Sequence, residues 1–141
     1  MADTVQVRYI YPPNLEGGAN PVPTRRVVVN MAGVSDGTGE TRVTKVRLTD
    51  LMKHDGSTPT RTAIERIQGN IQGMTLVLYW DRSPAAQFKL LGPGSYNLDF
   101  TFGGGITDYG EEGDRTGDIM LTSWFADSGD TYDIALTVRL K

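Results

Sequence analysis

The chain has no cysteine, a single histidine (His54), and no apolar run approaching the ~18 residues that a bilayer-spanning helix requires. Without cysteine there is no disulfide framework, no zinc–thiolate site and no thiol nucleophile, so a fold of 141 residues must stand on packing alone. A basic excess is also missing: the net charge is -3, which argues against the broad cationic footprint that nucleic-acid binding rewards. The start, MADTVQVRYI, is acidic where a signal peptide would be basic, so synthesis in the cytoplasm with no membrane contact is expected.

What is present points to short strands and many turns. Seventeen glycines suit tight connections. In Thr131–Leu140 the residues Tyr132, Ile134, Leu136, Val138 and Leu140 alternate with Thr131, Asp133, Ala135, Thr137 and Arg139, the period of a strand with one buried face. Ile119–Phe125 reads as a strand of similar length, and Asp127-Ser128-Gly129-Asp130 supplies turn residues that predict a hairpin between the two. Leu76–Trp80 is continuously apolar, as in a strand covered on both faces, with Gln87–Leu91 returning beside it after Pro84. Leu98, Phe100 and Phe102 alternate until Gly103-Gly104-Gly105, while Val5–Tyr11, Arg25–Asn30 and Val43–Leu48 complete about eight strands.

One single β-domain over residues 1–141 is therefore expected, an antiparallel sandwich or jelly roll. Two features interrupt it. Thr58 and Pro59 can start a helix, and Ala63, Ile64, Ile67 and Ile71 recur at helical spacing, which predicts one short helix near residues 59–69. The proline-rich stretch around 11–24 predicts an extended, arm-like segment.

No residue set reads as catalytic machinery, and no cofactor is expected. His54 lies beside Asp55 and Ser57 in a glycine-containing turn, where these are ordinary loop residues. Asp108, Glu111, Glu112, Asp114 and Asp118 are the carboxylates that could gather around a hard cation. Their spacing departs from the calcium-loop pattern and Arg115 sits among them, so a solvated acidic loop without metal is the expectation. The acidic excess is confined to residues 101–141, with three Lys and Arg against eight Asp and Glu.

Candidates for partner contact are clearer. An arm would present Tyr9, Tyr11, Pro12, Pro13 and Leu15, since extended backbone adds hydrogen bonds along a partner's edge. Trp124 and Phe125 are neighbours on one strand, so one ring must point away from the core. Arg25 and Arg26, with the alternating Lys45 and Arg47, form either a solvated face or a basic patch that meets an acidic partner.

The segments Thr116-Gly117-Asp118-Ile119-Met120-Leu121-Thr122 and Ser128-Gly129-Asp130-Thr131-Tyr132 to Arg139 resemble the small head proteins of tailed bacteriophages. The cysteine-free, acidic, glycine-rich character of the chain is similar to that of capsid decoration, or cement, proteins. That resemblance implies a structural protein of the virion, bound to the capsid surface as a homo-oligomer, commonly a trimer. It would hold neighbouring major capsid subunits together, with no direct contact to nucleic acid. The residues alone leave a second reading open: a carbohydrate-binding or other adhesion-type β-sandwich module, resting on Trp124, Tyr96 or Tyr109 as an exposed platform.

Overall fold

A computed structural model describes residues 4–12, 22–82, 84–108 and 115–141, with backbone alone at Arg115. The strands in chain order are β1 (Thr4–Tyr11), β2 (Pro23–Thr24), β3 (Arg26–Val34), β4 (Val43–Val46), β5 (Met52–Lys53), β6 (Thr62–Gln72), β7 (Thr75–Arg82), β8 (Ala86–Leu91), β9 (Gly94–Asp99), β10 (Ile106–Thr107), β11 (Arg115–Trp124) and β12 (Thr131–Leu140). A six-stranded sheet runs β1-β3-β12-β6, with β9 and β10 both pairing to the far edge of β6. A four-stranded sheet runs β4-β11-β7-β8, and both sheets are antiparallel throughout. The short β2 and β5 pair in parallel beside them. The protein is thus mainly β, in the manner of a sandwich.

Period-two alternation explains the core. Val27, Val29 and Met31 of β3 and Ile134, Leu136 and Val138 of β12 pack with Leu76, Leu78 and Trp80 of β7 and Ile119 and Leu121 of β11 in one buried cluster. Each such aliphatic side chain contributes about 1.5–3 kcal/mol on full burial. Trp80 stacks on Phe88 of β8 with ring centroids 4.2 Å apart. The alternate residues of the same apolar run, Val77 and Tyr79, are buried on the opposite face with Met120, so this strand is covered on both sides as its composition predicts.

The helix expected near residues 59–69 is instead the strand β6. A bulge accounts for the difference. Thr137 and Val138 of β12 sit opposite Arg66 and Ile64, leaving Glu65 with no partner on β12. One extra residue keeps Ile64 and Ile67 on the same face, so a strand acquires the i, i+3 spacing of a helix. The only helical turns among the described residues are short 3₁₀ segments at Leu48–Asp50 and Thr101–Gly103.

The hairpin expected between the last two strands is also absent: β11 belongs to the four-stranded sheet and β12 to the six-stranded one. Their connection pairs with the end of β3, where Ser35 N–H donates to Asp130 O at 2.8 Å and Gly129 N–H to Ser35 O at 2.9 Å. It therefore arches from one layer to the other. The predicted run through Phe100 and Phe102 likewise stops at Asp99, whose carboxylate accepts Thr101 N–H at 2.9 Å and Thr101 Oγ1–H at 2.6 Å and turns the chain.

Candidate functional site

The lower end of β1 builds the site through a second bulge. Tyr9 lies opposite Val29 on the core side, whereas Tyr11 lies opposite Val28 after a register shift. The shift places Tyr11 with Val28 on the outer face of the six-stranded sheet. There Tyr11, Thr24, Arg25, Arg26, Val28 and Thr137 line an open cleft of about 470 Å³. Val28 and Thr137 are cross-strand partners on β3 and β12, and form the floor.

The two arginines play different parts. Arg26 donates from Nε to Glu65 Oε1 at 2.6 Å and from Nη2 to Oε2 at 3.4 Å, a two-point pair with the bulged residue of β6. This hydrogen bond holds the Arg26 guanidinium firmly protonated. Glu65 is buried and neutralises that charge. Arg25 is exposed, and among the described residues no carboxylate lies within ion-pair distance of it. Thr24 Oγ1–H donates to Arg26 O at 2.8 Å and fixes the backbone between them. Among the described residues the cleft thus offers one guanidinium without an ion-pair partner, two threonine hydroxyls and an aromatic ring, a set suited to a carboxylate-bearing peptide surface.

Comparison with known protein families, with curated proteins and with solved structures finds no match.

The structure brings three of the sequence candidates, Tyr11, Arg25 and Arg26, into one cleft. Thr24, Val28 and Thr137 also line it. Their only signal in the sequence is an outward position on a strand, shared by many surface residues. Pro12 is buried, while Pro13 and Leu15 lie outside the described residues. Trp124 is the last residue of β11 and Phe125 opens the arch that follows, the two rings in edge-to-face contact with centroids 6.4 Å apart. Phe125 is 80% exposed with φ at +60°, and Trp124 is 39% exposed.

Lys45 is no part of a basic face. A third bulge, on β4, leaves it without a partner between Val46 and Thr44, and its ammonium is buried against Glu40. Of the acidic candidates, Asp108 is buried and pairs with Arg82 at 3.7 Å. Asp118 accepts Leu48 N–H at 2.8 Å, and burial pushes its carboxyl above the ordinary range. Glu111, Glu112 and Asp114 lie outside the described residues, and among those described no group of three potential ligands is placed to hold a metal ion. Asp55, beside His54, accepts Ser57 N–H at 3.0 Å and Ser57 Oγ–H at 2.6 Å. Tyr96 donates its hydroxyl to Gly92 O at 2.7 Å.

Tyr9 faces inward and packs on the core. Burial, reinforced by the charges of Asp50 and Asp118, pushes its hydroxyl from an ordinary 10.0 up to about 12. A raised folded pKa means that the native state holds the proton more tightly. The associated stability is complete below pH 10 and is lost as pH rises through about 12. Urea midpoints should therefore fall across that interval, and Tyr9→Phe should remove its share of the fall. An unchanged alkaline profile in Tyr9→Phe would show that the ring is not buried in this way.

Proposed function

We propose that this chain is a structural virion protein that binds the outside of a phage capsid as a homo-oligomer and stabilises contacts between major capsid subunits. The observation that carries the reading is the cleft: Arg25, without an ion-pair partner among the described residues, together with Tyr11 on the outer face of the six-stranded sheet. A sheet fixes the spacing of such groups, so repeated copies present them to a repeating surface without further ordering cost. The resemblance of Thr116–Thr122 and Ser128–Arg139 to small head proteins supplies the choice of partner. Those segments lie on β11, the arch and β12, which join the two layers of the sandwich.

Shells assembled from the major capsid protein encoded with this chain should bind it saturably in co-sedimentation. Arg25→Glu should weaken that binding at least tenfold, since a charge reversal at an anchor costs more than about 1.4 kcal/mol. The exposed position leaves the fold intact, so its melting curve should match the wild type. Equal binding by wild type and Arg25→Glu would remove the cleft from the interface.

A further inference from the structure

One wall of the cleft depends on a half-buried carboxyl group, that of Asp118. β11 leaves its register with β7 between Arg115, opposite Arg82, and Ile119, opposite Trp80, so that Thr116, Gly117 and Asp118 face Asp81 alone. This bulge seats the 3₁₀ turn Leu48–Asp50. Asp118 Oδ1 accepts Leu48 N–H at 2.8 Å. Gly117, at a φ of +82°, lies so close to the turn that a Cβ would collide with Leu48 Cδ1 and stand 3.0 Å from Thr60 O. Leu48 and Leu51 enter the core from this turn. The next two residues, Met52 and Lys53, form β5 and pair with Pro23 and Thr24 of β2, and Thr24 lines the cleft. One hydrogen bond thus ties β11 to the segment that carries the cleft wall.

The group that accepts this bond is poorly placed for a charge. Among the described residues no cation lies within ion-pair distance of it. Thr116 Oγ1 links it to a second acid, accepting Asp118 N–H at 3.2 Å and donating to Asp81 Oδ2 at 3.2 Å. Asp50 ends the turn two residues after Leu48, and the Tyr9 hydroxyl of β1 feels the charges of both Asp50 and Asp118. Arg47, exposed just before the turn, supplies the opposing positive charge. Burial, with the charges of Asp81 and Asp50, outweighs the Leu48 N–H and Arg47 and holds the carboxyl above its ordinary range.

We propose that Asp118 is a pH-sensitive latch, holding the segment Leu48–Lys53 more firmly as a neutral acid than as a carboxylate. A neutral carboxyl still accepts Leu48 N–H through its carbonyl oxygen, while its desolvation cost and its repulsion by Asp81 and Asp50 disappear. A carboxyl raised in the folded state contributes stability that is complete below the ordinary 3.8 and is lost as pH rises through the folded value. The turn therefore tightens on acidification, whereas acid releases an ordinary carboxylate staple. The window opens at about pH 4 and extends upward toward neutrality. Because β5 carries β2, the same proton steadies Thr24 and the cleft wall. The latch belongs to the fold and stands apart from shell binding.

Amide hydrogen exchange, corrected for the intrinsic rate at each pH, reads the latch at Leu48 and at Leu51, whose N–H donates to Leu48 O at 3.0 Å. In the wild type, protection of both should rise at least about twofold as pH falls from about 7 to about 4. Asp118→Asn keeps the acceptor and removes the charge. At neutral pH its two amides should already be at least about twofold better protected than in the wild type, with little further change on acidification. Flat wild-type protection across the interval would overturn the inference. So would weaker protection in Asp118→Asn at neutral pH, the result expected of a carboxylate that holds the turn by its charge. If Asp118→Asn does not fold, Asp81→Asn decides: removal of that neighbouring charge should raise protection of Leu48 at neutral pH, and an unchanged or lower value would overturn the inference.

Discussion

Gly69→Ala should lower stability by about 3–5 kcal/mol or prevent folding, the range reached when backbone strain and a steric clash coincide. Gly69 lies inside β6, opposite Ile134 of β12 on one side and Tyr96 of β9 on the other. Its φ of +137° lies where side chains are rarely tolerated. A Cβ there would meet Asp133 O at 1.9 Å and both Asp133 C and Ile134 Cα at 2.9 Å. All three are backbone atoms of the neighbouring strand and cannot swing aside. Relief requires β6 to move off β12, which exposes Ile67, Ile71, Ile134 and Leu136 together. Gly56→Ala provides the control: it shares a positive φ of +88° but has nothing within 4 Å of the added methyl. That variant should lose only about 1 kcal/mol, the conformational part. Equal urea midpoints for the two variants would mean that β6 does not approach β12 this closely.

Lys45→Met should cost about 3–5 kcal/mol, because it leaves a buried carboxylate without its cation. Glu40 accepts from Lys45 Nζ on one oxygen and from Tyr132 Oη at 2.6 Å on the other. Tyr132 reaches it by lying over Gly33, where any side chain would collide with the ring. Ser123 anchors the same residue, accepting Glu40 N–H at its hydroxyl at 2.7 Å and donating its own N–H to Glu40 O at 3.0 Å. The network ties the loop before β4 to strands of both sheets. Removing both charges together, as in Lys45→Met with Glu40→Leu, should recover most of the loss, since the penalty comes from an unpaired charge. A double-mutant cycle by urea denaturation measures this. A cost below about 1 kcal/mol for Lys45→Met would place the pair in solvent rather than in the interior.

Where the period of two runs unbroken, the fold was legible. The core-facing residues of β12, the two-sided burial of β7 and the pairing of β7 with β8 all follow from the order of apolar and polar residues. Three of the misreadings share one physical cause, the β-bulge. On β6 the extra Glu65 turns strand spacing into helical spacing, and on β4 the extra Lys45 buries a cation that alternation sets on the surface. On β1 the shift after Tyr9 sends Tyr11 to the other face. Bulges are set by the pairing of distant strands, and composition along one strand carries no trace of them. The arch between β11 and β12 was hidden for a similar reason. Asp127-Ser128-Gly129-Asp130 permits a turn, but its backbone partner is Ser35, far away in the chain.

The candidate site was legible only in part. Adjacent Arg25 and Arg26 are conspicuous in the sequence, yet which of them is paired depends on Glu65, supplied by a strand two positions away in the sheet. Thr137 reaches the cleft because β12 lies between β3 and β6, an order no local pattern announces.

The outer face of the six-stranded sheet is proposed to dock on a capsid. Electron cryo-microscopy of shells saturated with the protein tests it most directly. Sandwich-shaped density is expected at symmetry-related surface positions, with Tyr11, Arg25 and Thr137 turned toward the major capsid subunits. Bare shells at saturating protein, or density that meets the shell through the opposite sheet, would contradict it.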